Sequence, residues 1–300
     1  MADRILQDIA EQKNRLAIAQ INNNTEEKAD AYYNLGRGYF FLEDFHRAIE
    51  YLKQYLSITE EVGNRASAGC AYRDLGFAYL LEGDSQRAIE YTNKYLIIAK
   101  EVGDRAGEGC AYGNLGRAYY SLKEFQRAIE YTNKCLIIAK EVGDRAGQGK
   151  AYSDLGLAYH SLKEFQRAIE YTNKCLIIAK EVGDRAGQGK AYASLGLAYH
   201  SLAEFQRAIE YNNKHLIIAK EVGDRAGLGL GYGNLGNIYF LLGEYQRAIE
   251  YTNKYLIIAR EVGNRAMEGK AYSDLGATYH SLNEFRRAME CHRKHLNIAN

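Results

Sequence analysis

The sequence predicts an all-α fold of seven helical hairpins preceded by one N-terminal helix, and three observations predict it. The phrase Tyr-x-x-Leu-Gly recurs at a fixed step of 40 residues, from Tyr32 through Tyr72, Tyr112, Tyr152, Tyr192 and Tyr232 to Tyr272, without insertion or deletion. Within each unit the apolar side chains follow the period of a helix rather than that of a strand. The 300 residues contain no proline and 29 glycines, and 23 of those glycines fall in four columns of the repeat. A fixed period of about 20–50 residues marks an array of one supersecondary unit. One solenoid over residues 1–300 is therefore expected, without internal linkers, in place of the two or so domains that length alone suggests.

Residues 3–20 come first. Ile5, Ile9, Leu16 and Ile18 match Phe45, Ile49, Leu56 and Ile58 one repeat later, so this stretch reads as a lone helix of the second kind, covering the first helix of the first hairpin. Counting Gly109 as column 1, helix A carries Tyr112, Leu115, Gly116 and Tyr119 in columns 4, 7, 8 and 11, one stripe at about 100° per residue. The turn that follows is Ser121-Leu122-Lys123-Glu124, with Gly83 or Gly243 at its third place in two units. Helix B then places Phe125, Ala128, Ile129, Thr132, Cys135, Leu136 and Ala139 on one stripe. Units are separated by Val102-Gly103-Asp104-Arg105 and its copies, where glycine suits the residue after a helix and Asp the cap of the next. Gly116 lies in the apolar stripe, so its missing Cβ is expected to admit the paired helix. Packing is likewise the reading for Gly107 and Gly109, with bending between units as the alternative. At the far end, Cys291-His292-Arg293-Lys294-His295-Leu296-Asn297 is more polar than its counterparts, which reads as a crude cap or, preferably, as a cut inside a longer array ending at Asn300.

Composition removes several function classes. Thirty-nine basic residues against 38 acidic ones leave a net charge of +1, no footprint for nucleic acid or anionic lipid. No stretch approaches the ~20 apolar residues of a membrane span, and Met1-Ala2-Asp3-Arg4 does not begin a signal peptide. The cysteines are Cys70 and Cys110 in one column, Cys135 and Cys175 in another, and Cys291. Same-column pairs stand one helix spacing apart, beyond disulfide reach, so free thiols and a reducing, cytoplasmic setting are expected. No nucleophile elbow, phosphate loop, zinc spacing or isolated carboxylate pair occurs, and nearly every residue exists in several copies where a catalytic group would be unique. An enzyme is not predicted, nor a cofactor. His160, His200 and His280 share column 12, but two histidines without a carboxylate or thiolate make a poor metal site, and they read as solvent-facing. His215 and His295 occupy a core-edge column and are expected to pack.

Tyr112-x-x-Leu115-Gly116-x-x-Tyr119, followed by Ala128 and helix B, resembles the tetratricopeptide repeat over essentially the whole chain. The usual unit is 34 residues long, with Trp in column 4 and Pro in column 32; here column 4 is Tyr, column 32 is Lys100, Lys140 or Arg260, and six residues are added. The Gly-Asp-Arg-Ala phrase between units, with Asn114-Leu115-Gly116-Arg117 and Asn234-Leu235-Gly236-Asn237 in helix A, looks like the LGN/Pins scaffold proteins, although their GoLoco motifs do not occur in these residues. The resemblance implies a right-handed superhelix and a cytosolic adaptor whose concave groove holds partner segments.

The groove also follows from the helix wheel. With columns 4, 7, 8 and 11 inward, columns 2, 5, 6, 9, 12 and 13 form the exposed face of helix A. That strip holds Asn34, Arg37, Arg73, Asp74, Phe77, Asn114, Arg117 and Tyr120, then Asp154, His160, Ser194, His200, Asn234, Asn237, Phe240, Asp274 and His280. Residues 121–160 and 161–200 differ only where Ser153-Asp154 becomes Ala193-Ser194, inside the strip. Asn and Arg pair with peptide groups and carboxylates, and the aromatic rings offer contact area, so a protein or peptide ligand is the expected partner. A clamp for a C-terminal carboxylate, known in one subtype of the family, cannot be assembled from column 5, which reads Tyr33, Arg73, Gly113, Ser153, Ala193, Gly233 and Ser273; an internal extended or helical segment is favoured. The alternative is a structural, self-associating array without a specific ligand. Ile97, Ile137, Ile177, Ile217 and Ile257, on the side of helix B that carries Glu130, Asn133 and Glu141, bear on it: burial under the next helix A is preferred, and an exposed ridge joining a homodimer is the other account.

Overall fold

The computed structural model describes residues 2–299; Met1 and Asn300, where the first and last sequence readings fall, lie outside them. Among the described residues there are fifteen α-helices and no strand. Helix α1 (Ala2–Ile21) precedes α2 (Thr25–Phe41) and α3 (Phe45–Glu61), α4 (Arg65–Glu82) and α5 (Ser85–Glu101), α6 (Arg105–Ser121) and α7 (Phe125–Glu141), α8 (Arg145–Ser161) and α9 (Phe165–Glu181). Then come α10 (Arg185–Ser201) and α11 (Phe205–Glu221), α12 (Arg225–Leu241) and α13 (Tyr245–Glu261), α14 (Arg265–Ser281) and α15 (Phe285–Ala299). These are the expected hairpins, helix A first and helix B second. Contacts gather them into two compact units, Met1–Ala158 and Tyr159–Asn300, each built from the same parts.

Local chemistry sets each helix end. Gly103 takes φ +69° after α5, and the Asp104 carboxylate accepts a hydrogen bond from Gly107 N at 2.8 Å, closing one helix and opening the next. The turn inside the hairpin needs the same left-handed residue. Gly83 and Gly243 supply it without strain, whereas Glu43, Lys123, Lys163, Ala203 and Asn283 adopt φ of 56–62° there.

The core is a ladder of repeated contacts. Leu35, Leu75 and Leu115 in the first unit, and Leu195 and Leu235 in the second, are fully buried. A Cβ on Gly116 would stand 3.3 Å from Thr132 N and 3.4 Å from the Ala128 carbonyl, and one on Gly236 would stand 3.3 Å from Thr252 N. The glycine column is thus where helix A and helix B of a hairpin touch through backbone. Gly109 and Gly189 meet Ile138 and Ile218 of the following helix B within 3.0 Å of a built Cβ, and packing accounts for that column as well. Tyrosines in columns 11 and 23 stack in pairs, Tyr119 on Tyr131 at 5.2 Å and Tyr199 on Tyr211 at 5.3 Å, and an arginine caps the first ring of each pair, Arg127 over Tyr119 at 4.5 Å.

Two expectations need correction. Ile97, Ile137, Ile177, Ile217 and Ile257 are 54–56% exposed, not buried under the next helix A. The buried residues Leu136, Ile138 and Ala139 define an arc centred opposite Ile137 on the α7 wheel, and both neighbouring A helices pack on that arc, so the isoleucine faces outward. Ile18 is exposed, whereas its counterpart Ile58 is half-buried and Ile98 is buried. On α15, Phe285, Met289 and Leu296 are exposed where the matching side chains of earlier repeats are half-buried or buried.

Candidate functional site

The helix A strip of the first unit runs over α2, α4, α6 and α8. Asn34 and Arg37 are exposed on α2; Arg73, Asp74 and Phe77 are half-buried on α4; Arg117, Tyr120 and Asp154 are half-buried on α6 and α8. Asn114 departs from the expectation: it is buried, at 8% exposure. Column 6 points along the seam at which α4 and α6 approach one another, so residues there lie between A helices rather than on top of them. The same seam draws charges into pairs. Arg73 Nε donates to Asp74 Oδ1 at 2.8 Å, and Arg117 Nε donates to Asp154 Oδ2 at 3.0 Å across 37 residues of sequence. Burial pushes the Asp154 carboxyl above its ordinary range, and the Arg117 contact pulls against that shift.

Arg37 is different. Its guanidinium stands 5.8 Å from the centres of the Tyr33 and Phe41 rings and has no carboxylate partner among the described residues. Phe40 lies 5.5 Å from Phe77, and Phe41 meets Phe40 edge-on at 6.4 Å. Together with Leu52, Gly36, Arg73 and Asp74 these side chains line a pocket of about 260 Å³. The structure therefore gathers Arg37, Arg73, Asp74 and Phe77, four residues singled out from sequence, around one cavity. Tyr33, Phe40 and Phe41 were not singled out, though the signal was present: only the first repeat is aromatic in columns 5, 12 and 13 together.

In the second unit the strip is lined by histidine and asparagine. His160 Nε2 is 3.2 Å from Ser201 Oγ, and His200 Nε2 is 2.9 Å from Asn237 Oδ1. Each ring also packs on a phenylalanine, Phe165 at 5.3 Å and Phe205 at 6.0 Å, so both histidines are half-buried rather than solvent-facing, and burial lowers the His160 pKa. His280 is exposed and meets Phe285 edge-on at 5.5 Å. Asn234 donates to Asn212 Oδ1 at 3.2 Å, where Asn212 replaces the buried threonine of other repeats. Phe240 lies against Tyr245 at 5.9 Å. Asp274, half-buried, has its carboxyl raised by burial, with Lys270 opposing. Ser194, Asp274 and His280 make no hydrogen bond to another strip residue among those described. His215 packs as expected, buried between the carbonyls of Gly189 and Gly227 at 3.0 and 2.9 Å.

Among the described residues the cysteines form no disulfide, and burial pushes Cys135 up to about 11, which keeps it protonated and unreactive at neutral pH. No helix of the described residues is long and apolar enough to cross a membrane.

Models of the tetratricopeptide repeat match residues 29–61, 67–141, 107–181, 147–221 and 228–300. The chain belongs to the tetratricopeptide repeat family. Among solved structures, this tetratricopeptide repeat protein is similar to the apo form of RapI, at 17% identity and a TM-score of 0.70 over 91% of this chain and 97% of that one. It is also similar to aspartyl phosphate phosphatase F from Bacillus subtilis, at 17% identity and a TM-score of 0.72 over 95% and 74%. A Rap protein complexed with competence and sporulation factor aligns at 16% identity and a TM-score of 0.63 over 98% and 86%. At such identities the likeness is one of fold. No curated protein sequence matches the chain.

Proposed function

We propose that this tetratricopeptide repeat array is a cytoplasmic adaptor whose helix A faces hold segments of partner proteins. One observation carries the reading: on helix A the inward columns 4, 7, 8 and 11 are Tyr, Leu, Gly and Tyr in every repeat, while columns 5, 6, 9 and 12 of the strip beside them change from repeat to repeat. Where residues 121–160 and 161–200 diverge, the change from Ser153-Asp154 to Ala193-Ser194 alters that strip alone, replacing the carboxylate that pairs with Arg117 by a hydroxyl. Surface variation confined to one face is what recognition of an extended or helical segment requires. The Rap protein solved with competence and sporulation factor supports a bound factor on this fold. The free thiols support a reducing compartment, and the Gly-Asp-Arg-Ala phrase supports a place near the LGN/Pins scaffolds.

The test uses the two exposed leucines of column 9, Leu157 and Leu197. The full chain carrying Leu157→Glu with Leu197→Glu, both about 40% exposed, should keep its melting temperature and lose the proteins that the native chain captures. Unchanged capture would remove the reading. A second reading, self-association through helix B, is favoured by the exposed isoleucine column. Charged pairs such as Glu130 with Lys134 at 2.6 Å interrupt that face, so it offers separate apolar knobs and not a continuous patch.

A further inference from the structure

Seven nearly identical units pose a problem for a groove: a ligand that fits one unit fits the next, shifted by a repeat. The pocket of the first repeat removes that ambiguity, because no other repeat is aromatic in columns 5, 12 and 13 together. We propose that this pocket anchors a partner segment by taking one aromatic side chain, while Arg37 binds a carboxylate next to it. The inference rests on the adaptor reading and names the ligand chemistry at one end of the strip.

Size decides what can enter. Sites for whole small molecules span about 300–1,000 Å³, and this cavity has about 260 Å³, room for a single side chain. Its walls choose an aromatic one. Phe40, Phe77 and the exposed Phe41 present ring faces and edges, and Leu52 closes the floor, the setting for offset and edge-on ring contacts. Charge decides the neighbour. Two guanidiniums and one carboxylate border the pocket; Asp74 is engaged by Arg73 at 2.8 Å, which leaves Arg37 as the uncompensated charge. Tyr33 adds none, since burial raises its phenol pKa and keeps it neutral. The rings of Tyr33 and Phe41 meet the Arg37 guanidinium at 5.8 Å each and hold it at the rim, and its in-plane N–H groups remain available for a two-pronged bond to a carboxylate.

The experiment uses three probes of one shape: 3-phenylpropionate, 3-phenylpropionamide and 3-phenylpropylammonium. Each is titrated into the full chain carrying ¹³C-methyl leucine, with the Leu52 methyl signals as the reporter and those of Leu235 as the control. The carboxylate probe should shift Leu52 and not Leu235, and should bind about fivefold or more tightly than the amide, with the ammonium weakest. In Arg37→Gln, whose exposed position leaves the melt unchanged, carboxylate and amide should bind alike. Equal binding of all three probes, shifts centred elsewhere, or full carboxylate preference in Arg37→Gln would overturn the proposal. If Leu157→Glu with Leu197→Glu still abolishes capture in that event, the adaptor reading survives and only the anchor is lost; if capture also persists, both fall.

Discussion

At the scale of single residues, glycine does two jobs that substitution can separate. Gly116 sits where helix A touches the backbone of helix B, with a built Cβ against Thr132 Oγ1 and 3.3 Å from Thr132 N. Gly113, one turn away, meets only Cys135 Sγ at 3.4 Å. Alanine gains about 1 kcal/mol over glycine within a helix, whereas overpacking against backbone costs about 1–3 kcal/mol. Gly116→Ala should therefore lose up to about 2 kcal/mol in urea unfolding, and Gly113→Ala should gain up to ~1 kcal/mol; the same sign at both sites would refute this account of the glycine columns. Asp274 supplies a second residue-scale prediction. Burial raises its pKa in the folded chain, so folding favours the protonated form: its stabilising contribution is present at acid pH and lost as pH rises past the ordinary carboxylate value near 3.9. Asp274→Asn should raise the melting temperature at pH 7, and the gain should vanish as pH falls below about 3.9. A gain that persists in acid would point to some other cause.

At the scale of helices, most of the architecture was legible because it is written locally. The Tyr-x-x-Leu-Gly step placed every helix A, and Val-Gly-Asp-Arg, or Val-Gly-Asn-Arg at Asn64 and Asn264, placed the boundaries between repeats, because cap and turn chemistry depends on a few neighbouring residues. What failed depends on how a helix leans on two partners at once. The isoleucine column looked like core from composition alone; its exposure follows from the arc that both flanking A helices cover. Asn114 failed for the converse reason, since the wheel of α6 cannot show that α4 closes over its flank. The exposed column gives a direct test. Ile217→Asn with Ile257→Asn changes side chains that are 56% and 54% exposed, so the melting temperature should shift by no more than a few degrees. A fall of the size expected for stranding two amides in a core, several kcal/mol, would show that these positions are covered in the folded chain. A halved mass by light scattering with an intact melt would make self-association the better reading.

For the molecule as a whole, repetition is both the source of stability and the limit on what sequence could reveal. Each repeat packs its glycine and stacked tyrosines between its own two helices, so stability is expected as a sum of units and neighbour contacts, and the rule for one unit served for all. The candidate site depends instead on the departures from that rule. Sequence comparison between repeats found the strip, and found Arg37, Arg73, Asp74 and Phe77, but it ranked them as parallel copies along a groove. Their convergence on one pocket with Tyr33, Phe40 and Phe41 required coordinates, because those contacts join helices about forty residues apart. Likewise the pairing of Arg117 with Asp154 turns two apparent ligand contacts into structural ones, while Arg37, Leu157, Leu197 and Asn237 of the same column stay exposed.

The central claim is that partners are recognised by helix A and not by the back of helix B. Photo-crosslinking measures this most directly, with p-benzoylphenylalanine placed singly at Arg37, Leu157, Leu197 or Asn237 on the strip and at Ile137, Ile177 or Ile217 on the opposite face, in the full chain incubated with cell extract. The account predicts that the strip positions crosslink to the same captured protein and that the isoleucine positions do not. Crosslinks confined to the isoleucine positions, above all to a second copy of the chain, would contradict it.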